Sequence, residues 1–372
     1  MITNRPFLLK IVLAFALVAP LTGWAGGGTN QMRDFVFCLS SDSHIGMAFT
    51  NSKGSFTQGQ VVAQSRATIA EMISLIGQPY PTAGLPDLPP GPIAKPLGVI
   101  VAGDLTDDGA RAQYWPMFEK VFPTAGLDHG TIPLYLGLGN HDGTTPGRAV
   151  VEGVIARNRQ REQVGQLDVI STNGLHYAWT WQGVHFICVN LCPADTTDRE
   201  TPFKYGQPGP GSWNDSRGAL TFLTNYLHEH VGTNGAPVVI WSHYGYDEGF
   251  SIAWNWWSAK QRRAFYDVIK DYNVVALLHG HTHAAARYQW PDPVNDSKEV
   301  QRLFGDHPPA NLHTFDVFSG GTFGAGSDHG GTFYVFRIYH DELIAAHSDT
   351  YGWSKDSQLN LIKSMAFQPL TH

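Results

Sequence analysis

Charge is what this chain has least of. Only 15% of its 372 residues are Asp, Glu, Lys or Arg, the net charge is −7, and no run of like charges occurs. Binding a phosphate backbone needs a surplus of Lys and Arg on one face, so the composition argues against a nucleic-acid partner. Cysteine is also scarce. Cys38, Cys188 and Cys192 cannot all pair within one chain, and exported proteins tolerate disulfides without requiring them. Cys38 and Cys188 lie in apolar, strand-like runs, where cysteine packs as a small hydrophobe. Past the N-terminal segment, no apolar stretch reaches the roughly 20 residues that span a bilayer. Internal repeats, low-complexity tracts and domain linkers are lacking too.

At the N-terminus Arg5 and Lys10 precede an apolar stretch, 11–19, followed by Pro20 and the small-residue segment Gly23-Trp24-Ala25-Gly26. That is the layout of a cleavable export signal. It predicts cleavage after Ala25, a signal over 1–25, one domain over 26–372, and a secreted or periplasmic mature protein. No Cys stands near the cut, which argues against a lipoprotein.

Apolar runs suited to buried strands fall at 35–39, 98–102, 132–136, 184–190, 238–241 and 274–278. Helical spacing marks 58–76, 113–121, 150–163, 215–231 and 257–272. This alternation predicts an α/β fold. The strand-like segments 314–318, 332–339 and 342–348 suggest a second, largely antiparallel sheet. The expected architecture is two packed sheets flanked by helices, a four-layer αββα sandwich. The polar, Pro-bearing stretch 290–309 reads as an inserted loop.

Five short motifs each follow a predicted strand: Asp42-Ser43-His44, Gly103-Asp104, Gly139-Asn140-His141-Asp142, Trp241-Ser242-His243 and Gly280-His281-Thr282-His283. Loops at the C-terminal ends of strands in an α/β sheet converge on one crevice. In an extended segment, the spacing within Asp42-x-His44 and His281-x-His283 would aim both side chains of each pair to one side. Gly103, Gly139 and Gly280 suit turns with unusual dihedrals or close approach. Singly, each motif has a bland structural explanation. Together they would strand many polar groups in one crevice, at a few kcal/mol each. Asp, His and Asn donors suit Mn, Fe, Zn or Co better than the all-oxygen shells of Ca or Mg. Two such ions, roughly 3.5–4 Å apart, would lower the pKa of a shared water from about 15.7 to near 7 and clamp the attacking and leaving oxygens.

The order of motifs resembles that of the calcineurin-like metallophosphoesterases, with a match at every block from Asp42 to His283. The resemblance implies two metal ions bridged by Asp104, with Asp42, His44 and His283 completing one site and Asn140, His243 and His281 the other. It implies that a hydroxide shared by the metals attacks phosphorus in line. It places His141 near the leaving group, with Asp107 as its carboxylate partner and Asp108 and Asp142 as neighbours able to substitute. The run Gly103-Asp104-Leu105-Thr106-Asp107-Asp108-Gly109 looks more like the phosphodiesterase branch than the protein phosphatases. The position of Asp107 lacks the Tyr of purple acid phosphatases. The expectation is hydrolysis of a phosphodiester, on a small-molecule or lipid substrate. The alternatives are a secreted phosphomonoesterase and a non-catalytic binding module on the same fold.

Tyr244, Tyr246, Phe250, Trp254, Trp256 and Trp257 follow His243 and would either line the site or pack their loop onto the body. Arg148, Arg157, Arg159 and Arg161 follow the Gly-Asn-His-Asp block. One helix cannot aim all of them at a phosphate, so most are expected on a solvated face. His129, His176, His185, His228, His230, His307, His313 and His329 are expected to be structural or exposed.

Overall fold

Residues 35–40 are almost sealed from solvent, as a strand covered on both faces must be. The structure is a computed structural model and describes residues 32–51, 54–143, 147–190, 217–247, 257–324, 330–350 and 352–367. Its strands are, in order, β1 (Asp34–Ser40), β2 (Phe49–Asn51), β3 (Gly54–Phe56), β4 (Val99–Val101), β5 (Leu134–Leu136), β6 (Val169–Ile170), β7 (Tyr177–Trp181) and β8 (Val184–Cys188). They continue with β9 (Val238–Trp241), β10 (Val274–His279), β11 (Ala285–Trp290), β12 (Phe315–Gly320), β13 (Thr332–Tyr339), β14 (Glu342–Asp349), β15 (Gly352–Trp353) and β16 (Leu361–Ser364). The helices are α1 (Gln58–Ser74), α2 (Tyr114–Val121), α3 (Ala149–Gln163), α4 (Ala219–Tyr226), α5 (Ala259–Ile269) and α6 (Ser297–Phe304).

Two seven-stranded mixed sheets result. One runs β15-β14-β13-β1-β4-β5, with β16 on β14, and the other runs β11-β12-β10-β9-β8-β7-β6. β1, β4 and β5 are parallel in the first, and β8, β9, β10 and β12 in the second. Period-two alternation sorts the core. Phe35, Phe37 and Leu39 of β1 join an inter-sheet layer with Tyr135, Trp179, Phe186, Trp241, Phe318 and Phe336, while Val36 and Cys38 join Ile69, Met72 and Phe118 under the helices. Phe37 stacks on Phe336 at 4.8 Å and meets Phe186 edge-on at 5.1 Å. Capping boxes start α1 and α5, Thr57 with Gln60 and Ser258 with Gln261. Cys38 and Cys188 are buried free thiols, and burial pushes the Cys38 thiol up to about 12. Cys192 and the proposed signal lie outside the described residues.

Three sequence expectations need correction. The C-terminal strands do not make a sheet of their own. β12 extends the second sheet beside β10, while β13 and β14 extend the first beside β1. The physical reason is the shared aromatic layer, in which Phe318 of β12 meets Phe336 of β13 at 5.1 Å across the sandwich. The stretch 290–309 is not all loop, for it carries α6, held by a buried ion pair. Arg262 of α5 and Glu299 of α6, 1% and 0% exposed, make a two-pronged contact at 2.7 and 2.8 Å, and Arg262 also donates to the Trp257 carbonyl at 2.7 Å. The predicted helix 215–231 is shorter in its regular part, since α4 passes into a π turn at Leu227–Val231.

Removing one partner of a buried pair leaves an uncompensated charge. Glu299→Ala is therefore expected to cost roughly 3–5 kcal/mol of stability in urea titrations, and an unchanged midpoint would contradict the pair's structural role. Burial also holds two imidazoles neutral, pushing His347 and His185 down to about 4. A histidine depressed in the folded state binds protons more readily once unfolded. Its contribution is whole above about 6.5 and is lost as pH falls toward 4, with a slope of up to about 1.4 kcal/mol per pH unit per proton. The urea midpoint should fall between pH 7 and 5, and His347→Gln should flatten that slope. Equal slopes would refute the assignment.

Candidate metal centre

All five motif loops leave the C-terminal ends of parallel strands: β1, β4 and β5 of one sheet, and β9 and β10 of the other. Backbone hydrogen bonds lace these loops together. Asp42 N–H donates to the Gly103 carbonyl at 3.0 Å, His44 N–H to Asp104 at 3.0 Å and Gly280 N–H to His243 at 3.0 Å. The side chains meet not because the segments are extended, as the spacing suggested, but because they are left-handed. Asp42, His44, Asp104, His281 and His283 have φ of 52°, 39°, 48°, 73° and 56°. Close approach explains two glycines. A Cβ on Gly103 would lie 2.5 Å from His243 Nδ1, and one on Gly139 would lie 2.1 Å from Asp104 Oδ1.

Asp42, His44, Asp104 and His283 offer donor atoms to one point, and Asp104, His243 and His281 to a second. Asp104 joins them. Its Oδ2 lies 3.4 Å from His44 Nε2 and 3.2 Å from His243 Nε2, while Oδ1 accepts the His141 N–H at 2.8 Å. Asn140 Oδ1 completes the second group, 3.1 Å from His243 Nε2 and 2.9 Å from His281 Nδ1. In the first, Asp42 Oδ1 stands 3.3 Å from His283 Nε2, and the Nε2 atoms of His44 and His283 face each other at 2.9 Å. The Ala102 carbonyl, 2.7 Å from His243 Nδ1, accepts a hydrogen bond from the proton on that nitrogen and leaves Nε2 to face the cluster.

Burial alone would raise Asp42 and Asp104, but His283 and His44 hold the first, and His243 and His141 the second, well below the usual carboxylate range. Conversely, burial would lower His44 and His243, yet surrounding carboxylates pull them up to about 10 and about 9. Burial and His243 push His281 well down. Such mutual shifts mark a crevice that stabilises positive charge. Two buried atoms, Asp42 Oδ1 and His44 Nδ1, lack hydrogen-bond partners. An acceptor oxygen aimed into a ring of imidazoles fits a cation better than it fits another side chain.

His141 lies at the rim, its side chain 25% exposed. Its Nδ1 is 2.6 Å from the carbonyl of Asp107, so that nitrogen carries the proton and Nε2 is left for chemistry. The Asp107 carboxylate is 3.8 Å from both His141 Nδ1 and His44 Nδ1. The neighbouring carboxylates are engaged elsewhere. Asp142 is spent on the N–H groups of Leu105, Thr106 and Gly139, tying two motif loops together. Asp108 caps Ala110 N–H and meets Arg111.

Sequence reasoning missed a sixth segment, Ser319-Gly320-Gly321-Thr322, which runs from the end of β12 into the loop after it. Ser41 Oγ donates to the Gly321 carbonyl at 2.6 Å, and Thr322 Oγ to the Asp42 carbonyl at 2.8 Å. Its only visible signal was a Gly pair after a strand. It also missed Asn190, whose side chain holds Leu138 N–H ahead of the Gly139 block. Arg157 and Arg161 do not lie on a solvated face. They are buried, with Arg157 over Trp115 at 4.9 Å and Arg161 over Tyr135 at 4.7 Å. Arg159 is exposed, and Arg148 donates to the Asp142 carbonyl at 3.3 Å. Tyr244, Tyr246 and Trp257 are buried, packing their loop onto the body, while Phe250, Trp254, Trp256 and His329 lie outside the described residues.

Comparison with known proteins adds the following. Among solved structures the chain is similar to a dimetal phosphatase from Danio rerio, at 13% identity and a TM-score of 0.49, over 89% of this chain and 99% of that one. It is also similar to YfkN, a calcineurin-like phosphoesterase from Bacillus subtilis, at 12% identity and a TM-score of 0.39, over 91% and 93% of the two chains. No curated protein matches the chain. The calcineurin-like phosphoesterase family model matches residues 37–285, more than half of the chain and a span that holds every motif loop above. The chain therefore belongs to the calcineurin-like phosphoesterase family and is a metal-dependent phosphoester hydrolase.

Proposed function

We propose that this hydrolase is an exported phosphodiesterase. Asp42, His44 and His283 would hold one metal ion, Asn140, His243 and His281 a second, and Asp104 would serve both. The mixed imidazole, carboxylate and amide donors suit Mn, Fe or Zn. When bound, such a pair would acidify a shared water and offset charge on the phosphoryl oxygens. The chain supplies the rest. With Nδ1–H donated to the Asp107 carbonyl, His141 acts as an imidazolium whose second proton, on Nε2, passes to the departing alcohol oxygen and leaves the ring neutral. The Asp107 carboxylate, 3.8 Å from His141 Nδ1, supports positive charge on that ring through space rather than by a hydrogen bond.

The observation that carries diester over monoester is the charge beside His141. The cavity there is lined by two carboxylates, Asp107 and Asp108, and one guanidinium, Arg111. A wall of net negative charge accepts a singly charged diester more readily than a monoester carrying nearly two charges at neutral pH. The export reading rests on the layout of residues 1–25.

Elemental analysis of the purified protein should find roughly two ions per chain. Chelation should abolish hydrolysis, and Mn, Zn or Fe should restore it. Bis-(p-nitrophenyl) phosphate should be cleaved faster than p-nitrophenyl phosphate, and the reverse order would reject the diester preference. His141→Ala should lower kcat by about 100- to 10,000-fold with metal content unchanged. Full activity in that variant would remove His141 from the mechanism.

A further inference from the structure

We propose that the cavity beside His141 is the subsite for the leaving alcohol, and that it takes an uncharged, polyhydroxylated one, a polyol or a sugar. This rests on the phosphodiesterase reading above. His141 delivers the proton in that reading, so the group receiving it occupies the space His141 lines. That space is about 380 Å³, at the small end of ligand pockets, which run from about 300 to 1,000 Å³. Besides His141, its polar wall is Gln58, Asp107, Asp108, Arg111 and Tyr114.

The wall is built rather than incidental. Gly109 N–H donates to the His141 carbonyl at 2.8 Å, so the segment bearing Asp108 and Arg111 is fastened to the catalytic loop. Asp108 is set by the Ala110 N–H at 2.9 Å and lies 3.3 Å from Arg111 Nε. The Tyr114 ring is pinned beneath Gly46, where even a Cβ would lie 2.6 Å from the ring carbons.

Hydroxyl groups both donate and accept. Carboxylate acceptors beside guanidinium and amide donors therefore match adjacent hydroxyls, whereas an alkyl alcohol would strip water from these groups and leave them unpaired. Charge narrows the class further. Two carboxylates against one guanidinium repel a second phosphate or a carboxylate, while an ammonium, which donates but cannot accept, leaves the Arg111 and Gln58 donors unmatched.

The test compares kcat/KM of the metal-loaded protein for bis(glyceryl) phosphate, dipropyl phosphate and bis(2-aminoethyl) phosphate, following alcohol release by mass spectrometry. The glyceryl ester should exceed the propyl ester by about tenfold or more. Arg111→Ala and Asp108→Asn, each on an exposed side chain, should each cut that ratio by about fivefold. A ratio near one, a preference for the aminoethyl ester, or an unchanged ratio in both variants would overturn the proposal. So would failure to cleave all three by protein that still cleaves bis-(p-nitrophenyl) phosphate, which would leave the diesterase reading standing. Loss of that reference activity as well would overturn the diesterase reading itself.

Discussion

Asp42 and Asp104 are buried side by side in one crevice, and everything else about the site follows from keeping those carboxylates charged there. Removing an ion from water costs several kcal/mol unless partners replace the lost hydration. The chain supplies them in two ways. Oriented N–H groups fix one oxygen of each carboxylate, His281 N–H on Asp42 Oδ2 and His141 N–H on Asp104 Oδ1. Imidazole rings surround the other oxygen. The first arrangement fixes direction, and the second calls for positive charge.

This constraint accounts for the loop architecture. A carboxylate serving two clusters must be reached from both sheets, and the loops bearing His243 and His281 come from the sheet opposite Asp104. The parallel cores of both sheets therefore have to end at the same level. The aromatic layer between them, with Phe37 against Phe186 and Phe318 against Phe336, sets the spacing of the two sheets. Core packing and site geometry are thus one problem, solved by the same strands.

Much of this was legible in the sequence because two periodicities and five short motifs carry it. Buried strands such as 238–241 announce themselves by apolar runs, and Asp, His and Asn after such runs announce a crevice. What stayed hidden depends on partners far along the chain. The destination of 314–348 turns on which sheet edge is free, and period-two alternation does not encode that. α6 is fixed by the Arg262–Glu299 contact together with only a short apolar face, Val300 and Leu303, so a polar, Pro-bearing stretch read as loop. The left-handed backbone of Asp42, His44, Asp104, His281 and His283 was invisible because these residue types do not advertise positive φ as glycine does. The roles of Asn190 and the Gly320-Gly321 pair were hidden for a related reason, as they act through carbonyl and amide contacts with no titratable group of their own.

The left-handed residues have one more consequence. Conformations of this kind cost of order 1–3 kcal/mol each for residues with a side chain, and here they fall on the side chains that define the crevice. Glycine at such a position would relieve the backbone while erasing a donor. Artificial evolution for heat resistance, run without a selection for turnover, would drift toward the sequences that have abandoned the chemistry. In a collection of natural variants, unusual robustness joined to a glycine at one of these five positions would mark a descendant that kept the scaffold and gave up the reaction.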